Sequence, residues 1–228
     1  MRKFLWPMIV LLAGCAAPPR GEAPPAAPAA PAEAEKAAPA ESWKIVASHL
    51  EVRVYRDGAM QKLGHNHLIT SDALEGEIQL RNPLTQTGFD IRLPLESLVV
   101  DDTGARTAAG GDFAAPVPPK DTEATRRNML GDKLLDAARQ DAIRLTADEI
   151  TGEPGSYQAR VRVSLKGEEH VVAAPLTVTI EGNSLKAHAG FHLTHAQIGL
   201  VPFTVALGAL KVRDDFEVEL RLEARRGS

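Results

Sequence analysis

The chain has 228 residues, with 26 basic and 30 acidic side chains, a formal net charge of -4, one cysteine and few aromatic residues. A mildly acidic chain without a Lys/Arg cluster is a poor nucleic-acid binder. A single cysteine excludes an internal disulfide, so stability must come from burial and hydrogen bonding.

The N-terminus reads as an export signal. Arg2 and Lys3 precede a short apolar stretch, Phe4 to Leu12, too short to span a bilayer as a helix. Its end, Leu12-Ala13-Gly14-Cys15, resembles the bacterial lipobox, in which residues 1–14 are removed and the cysteine is acylated. That removal would take two basic residues and move the net charge from -4 to -6. The resemblance implies membrane attachment through Cys15. Ala16 follows the cysteine, with no Asp, which resembles the outer-membrane sorting pattern of Gram-negative lipoproteins, facing the periplasm. Residues 16–41 are nearly all Ala, Pro and Glu, a composition that cannot bury a core and favours extended conformations. At about 3.1 Å per residue, such a tether reaches on the order of 80 Å.

From Ser42 to Ser228 the chain reads as one domain dominated by period-two alternation, the mark of half-buried strands. Strands are predicted near 43–55, 60–70, 74–81, 88–100, 142–150, 157–166, 170–181, 184–194 and 211–224. The second carries Gly64-His65-Asn66-His67. Leu63, His65, His67 and Ile69 share one face, and the two imidazoles should lie roughly 6–7 Å apart along it. A third ligand from a neighbouring strand would make a metal or haem site; the plainer reading is a pair hydrogen-bonded near a ligand headgroup or a turn. In the fourth strand Phe89, Ile91, Leu93 and Leu95 alternate with Asp90, Arg92, Pro94 and Glu96.

Residues 101–120 form a long Gly/Ala/Pro-rich loop. Asp101-Asp102 and Asp214-Asp215 read as solvated turn residues. Residues 121–139 are predicted as helix, N-capped by Asp121 or Thr122, with Leu130, Leu134 and Ala138 on one face and a division at Gly131-Asp132. In the later strands Ala159, Val161, Val163 and Leu165 share a face, as do Leu176, Val178 and Ile180. Ala187, Ala189, Phe191 and Leu193 oppose His188 and His192, which should face solvent. His49, His170 and His195 have no evident partner. The apolar run from Ile198 to Leu210 suits either a bilayer-facing lip or a plug. The last strand alternates most cleanly, with Phe216, Val218, Leu220, Leu222 and Ala224 on one side. One apolar face on many antiparallel strands requires a closed barrel or a sandwich, and alternation does not separate the two. Gly-x-Ser-x-Gly, a phosphate loop and His-Glu-x-x-His are all absent, so no enzyme is expected.

The pieces in order resemble the YceI-like family, lipocalin-like periplasmic proteins associated with polyisoprenoid lipids, over Trp43 to Ala224. The likeness runs through His67 to Leu74-Glu75-Gly76-Glu77-Ile78, Asn128-Met129-Leu130, Leu134-Leu135-Asp136, Ile143 to Ile150, Val161 to Gly167, Ala174 to Val178, Ala187 to Leu193 and Ile198-Gly199-Leu200. The departures are the lipobox and tether, the length of the 101–120 loop, and Ala142 and Leu145, where relatives often carry Pro and an aromatic. The resemblance implies an all-β, antiparallel eight-stranded barrel with a short helical segment near 121–139. It also implies a tunnel for an apolar isoprenoid-type lipid, with no other cofactor. The tunnel would be lined by Ile91, Leu93, Val161, Val163, Leu176, Val178, Ile180, Phe191, Leu193, Val218 and Leu220, with His65 and His67 at the ligand. Ala159, Ala187 and Ala189 would leave it room. Expected partners are that lipid and the membrane, and the oligomeric state is open, a dimer included. The rival readings are a His-based metal or haem protein and a scaffold lipoprotein with no small-molecule ligand.

Overall fold

The computed structural model describes residues 39–227, so the expected signal, the lipobox and nearly all of the tether lie outside the described residues. The fold is a closed antiparallel barrel. Its seam joins the first and last long strands, β1 (Glu41–Asp57) and β11 (Leu210–Arg226), which pair from Trp43↔Arg226 to Asp57↔Lys211. Between them run β2 (His67–Ser71), β3 (Glu75–Leu80), β4 (Gly88–Pro94), β5 (Val99–Val100), β6 (Ala142–Glu153), β7 (Ser156–Leu165), β8 (Glu168–Glu181), β9 (Ser184–Thr194) and β10 (Thr204–Val205). The ring order is β1-β3-β4-β6-β7-β8-β9-β11 and back to β1, eight positions in all. β3 and β2 share one flank of β1, pairing with Glu41–Lys44 and Leu50–Val54 respectively. The sandwich alternative is therefore excluded.

Two bulges reset which residues face inward. The β1–β11 register shifts between Ile45 and Ala47, leaving Val46 unpaired and exposed. Trp43 and Ile45 point to the core before it, and Leu50, Val52 and Val54 after it. In β6 the shift falls between Ala147 and Glu149. Ile143 and Leu145 face the interior before it and Ile150 after it, while the extra residue Asp148 receives Arg160 and Arg162 at 3.3 and 2.6 Å. An extra residue on one strand flips the parity of everything beyond it. Gly76 of β3 marks a close approach: its φ is +144°, and a Cβ there would lie 2.2 Å from the Asp90 carbonyl oxygen.

Several boundaries differ from the sequence reading. The predicted strand 60–70 forms only from His67; Gln61–Leu63 is a 3-10 turn, and Leu63 is exposed instead of facing inward. The predicted strand 88–100 is broken by a 3-10 turn at Leu95–Ser97. The loop after it contains α1 (Thr103–Ala109), N-capped by the Asp102 carboxylate accepting from the Ala105 N–H. α2 spans Pro119–Leu130, so it starts earlier than predicted, with Pro119 rather than an Asp or Thr opening its first turn. A proline costs nothing there, since that N–H has no intrahelical partner. After Gly131 the chain continues in turns, with Leu135 buried and Ala138 exposed.

Candidate functional site

The barrel interior holds a cavity of about 480 Å³. All eight ring positions contribute aliphatic or aromatic side chains to it, among them Ile91, Leu93, Val161, Val163, Leu176, Val178, Phe191, Leu193, Val218 and Leu220. The space exists because Ala159, Ala174, Ala187 and Ala189 line it where larger side chains would close it. One expected lining residue does not belong to this set. Ile180 is 43% exposed and lies off the cavity. β7 begins at Ser156 and its pairing with β8 starts at Tyr157↔Leu176, so Ile180 extends past the flanking strand beside the hairpin turn. Parity alone gave it an inward face that nothing encloses.

Most of the cavity's polar groups gather at the end where β1 finishes, β2 begins and α2 crosses, Thr87 between β3 and β4 being the exception. Arg56, His65, His67, Thr125, Asn128, His195 and Lys211 all line it there. The strand register explains the grouping: His67 pairs with Val54, Arg56 with Val212, and Asp57 with Lys211. The rings of His65 and His67 lie 6.2 Å apart, edge to face, although His65 precedes the strand. His65 Nε2 is 3.5 Å from an Asp121 carboxylate oxygen on α2.

Behind His67 sits a buried ion pair whose acidic member, Asp101, the sequence reading placed in a solvated turn. Asp101, whose side chain is 0% exposed, accepts from the Leu68 N–H at 2.9 Å and from Arg106 at 2.6 Å, and contacts His67 Nδ1 at 2.6 Å. Arg106, 3% exposed, also donates to the carbonyls of Asn66 and Ala115. Burial pushes the Asp101 carboxyl up, but the hydrogen bonds from His67 and Leu68, with the cations beside it, outweigh that and hold it below the usual carboxylate range. An ionised Asp101 can only accept, so Nδ1 of His67 carries the proton. Nε2 then presents a lone pair in the neutral ring, 3.4 Å from Thr125 Oγ1 on α2. Asp101 and Arg106 could not be read from a local pattern, because their partners lie on β2, at Asn66 and in the loop around Ala115.

The remaining histidines are partnered more often than the sequence suggested. His49 contacts Asp72 at 2.6 Å, and His170 lies 3.7 Å from Glu168. His195 is buried, with Nδ1 2.7 Å from the Asp214 carbonyl oxygen and its ring edge-on to Phe216. His188 and His192 are exposed, and His188 pairs with Glu219 at 2.5 Å. Asp214 and Asp215 are part of β11 and not of a turn. Among the described residues no three His, Cys, Asp or Glu side chains come together to hold a metal ion, so His65 and His67 lack the third ligand a metal site needs.

The apolar run after β9 does two things. Ile198, Leu200, Phe203, Val205 and Leu210 line the cavity at its polar end, whereas Val201 and Leu207 project into solvent. Leu207 has a left-handed backbone, φ 54°, at the tip of the turn. The backbone N–H of Met60 donates to the Ala209 carbonyl at 2.7 Å, tying this turn to the segment before His65.

The sequence profile described as YceI-like domain matches residues 43–224. Among solved structures, BcnA of Burkholderia cenocepacia superposes with a TM-score of 0.54 at 10% identity, covering 77% of this chain and 95% of that one. A Campylobacter jejuni YCEI protein superposes with a TM-score of 0.50 at 7% identity, covering 68% of this chain and 82% of that one. At these identities the structural likeness concerns the fold. A comparison with curated protein sequences found no match.

Proposed function

The chain belongs to the YceI-like family, and from that premise we propose that it is an envelope lipoprotein whose barrel binds and carries or sequesters an apolar isoprenoid-type lipid. Barrels of this family are generally thought to bind hydrophobic ligands. The observation that carries the reading is the aliphatic cavity of about 480 Å³, within the size range of small-molecule pockets. Each 100 Å² of lipid surface removed from water contributes about 2.5 kcal/mol, so a tail needs no specific polar contact to be retained. The lipobox-like Leu12-Ala13-Gly14-Cys15 supports anchoring through an acylated cysteine, and Ala16 supports an outer-membrane address facing the periplasm. The Pro/Ala-rich composition of residues 16–41 supports a spacer role between that anchor and the barrel.

The test is retention of radiolabelled geranylgeraniol by the delipidated domain in gel filtration. Co-elution with the wild type, lost when Ala187→Phe fills the cavity, is the expected result. Equal retention by both would mean that the lipid binds elsewhere.

A further inference from the structure

Among the described residues, the titratable groups at the polar end of the cavity are bases alone. Its titratable lining groups are Arg56, His65, His67, His195 and Lys211, and no Asp or Glu side chain lines it. The nearby carboxylates stand behind these groups: Asp101 behind His67, Asp121 beside His65, Asp57 at 3.1 Å from Lys211 and Asp214 at 4.0 Å from His195. Arg56 differs from the rest. It sits exposed at the mouth and donates to the Gly64 carbonyl at 2.6 Å, and among the described residues no carboxylate pairs with it. Strand pairing places it across from Val212, next to Lys211, so the two fixed positive charges flank one edge of the opening.

We propose that this mouth selects an apolar chain ending in an anionic head, a carboxylate or a phosphate, and that Arg56 and Lys211 are the residues that make the selection. This rests on the cavity reading above and adds the chemistry of the head. Arg56 has guanidinium N–H groups left over after the Gly64 bond, in a fork suited to carboxylate or phosphate oxygens. The His65 ring and the Thr125 hydroxyl add donor groups beside it. His67, whose Nδ1–H is taken up by Asp101, offers an anionic head no donor while its ring is neutral, so it lines the mouth without making the selection. A neutral alcohol on the same chain would gain the tail burial but not the charge-assisted hydrogen bonds, which at a partly solvated mouth are worth about tenfold or more in affinity. The preference should shrink with added salt, because the mouth is open to solvent.

The experiment compares two matched pairs of probes on the delipidated domain: palmitate against hexadecanol, and geranylgeranyl phosphate against geranylgeraniol. The expected result is that the acidic member of at least one pair binds about tenfold tighter or more at low ionic strength. Arg56→Gln with Lys211→Gln should bring that acid down toward its alcohol. Lys186→Gln, on the outer face of β9, should keep the preference. A preference confined to palmitate assigns the head to a carboxylate, and one confined to the prenyl phosphate assigns it to a phosphate. Equal affinity of acid and alcohol in both pairs would overturn the inference and leave the cavity reading standing. A preference that survives the double substitution would also overturn it. No binding of any probe would overturn both. The wild-type comparison decides even if the variant fails to fold.

Discussion

His67 Nδ1 lies 2.6 Å from the Asp101 carboxylate, and on its other side that carboxylate holds the buried guanidinium of Arg106 at 2.6 Å. One acidic residue therefore fixes the tautomer of a cavity histidine and neutralises a buried cation. It also pins the start of β2 through the Leu68 N–H. Removing its charge leaves Arg106 buried without a counter-ion. Asp101→Asn should cost about 3–5 kcal/mol, measured as a lower urea midpoint with unchanged slope.

The same residue gives a pH signature. Its native carboxyl sits below the ordinary value of 3.8, so its contribution to stability is complete above that value. It is lost as the pH falls through the lower native value, because the unfolded chain takes up the proton first. Urea midpoints from neutral pH to below pH 3.8 should fall on the acid side in the wild type. They should fall less in Asp101→Asn.

Val178 and Ile180 share strand parity, yet only Val178 lines the cavity. Val178→Arg should abolish lipid retention. Ile180→Arg should leave it within about twofold, since surface substitutions of this kind usually cost no more than about 0.5 kcal/mol. Lipid co-purified with each variant, quantified after solvent extraction, checks the pair.

Gly76→Ala should destabilise the barrel by several kcal/mol. The added Cβ would meet the Asp90 carbonyl at 2.2 Å, in a backbone conformation that side chains rarely adopt. Thermal unfolding of the purified domain would show it.

The strands were legible where one rule operates without interruption. β11 alternates from Phe216 to Ala224, and its inward set is the one expected. β1 and β6 were legible less far, because the register shifts at Val46 and Asp148 insert one residue each and reverse the parity. No local composition announces such an insertion. Ile180 shows the complementary limit: alternation assigns a face, but enclosure depends on how far the neighbouring strand extends. His65 and His67 stood out by their spacing, whereas Asp101 and Arg106 did not. A buried ion pair reads locally as two ordinary loop charges until the fold brings Leu68, Asn66 and Ala115 around it. Pro119 at the start of α2 was an available signal, since proline favours the first helical turn.

The most direct measurement is native mass spectrometry of the full chain exported with Cys15→Ser, so that acylation cannot mask a ligand. The account predicts an added mass that survives gentle purification, disappears on solvent extraction and falls in a prenyl series. Bare protein alone, from an export-competent host and under conditions that retain an added apolar probe, would contradict it.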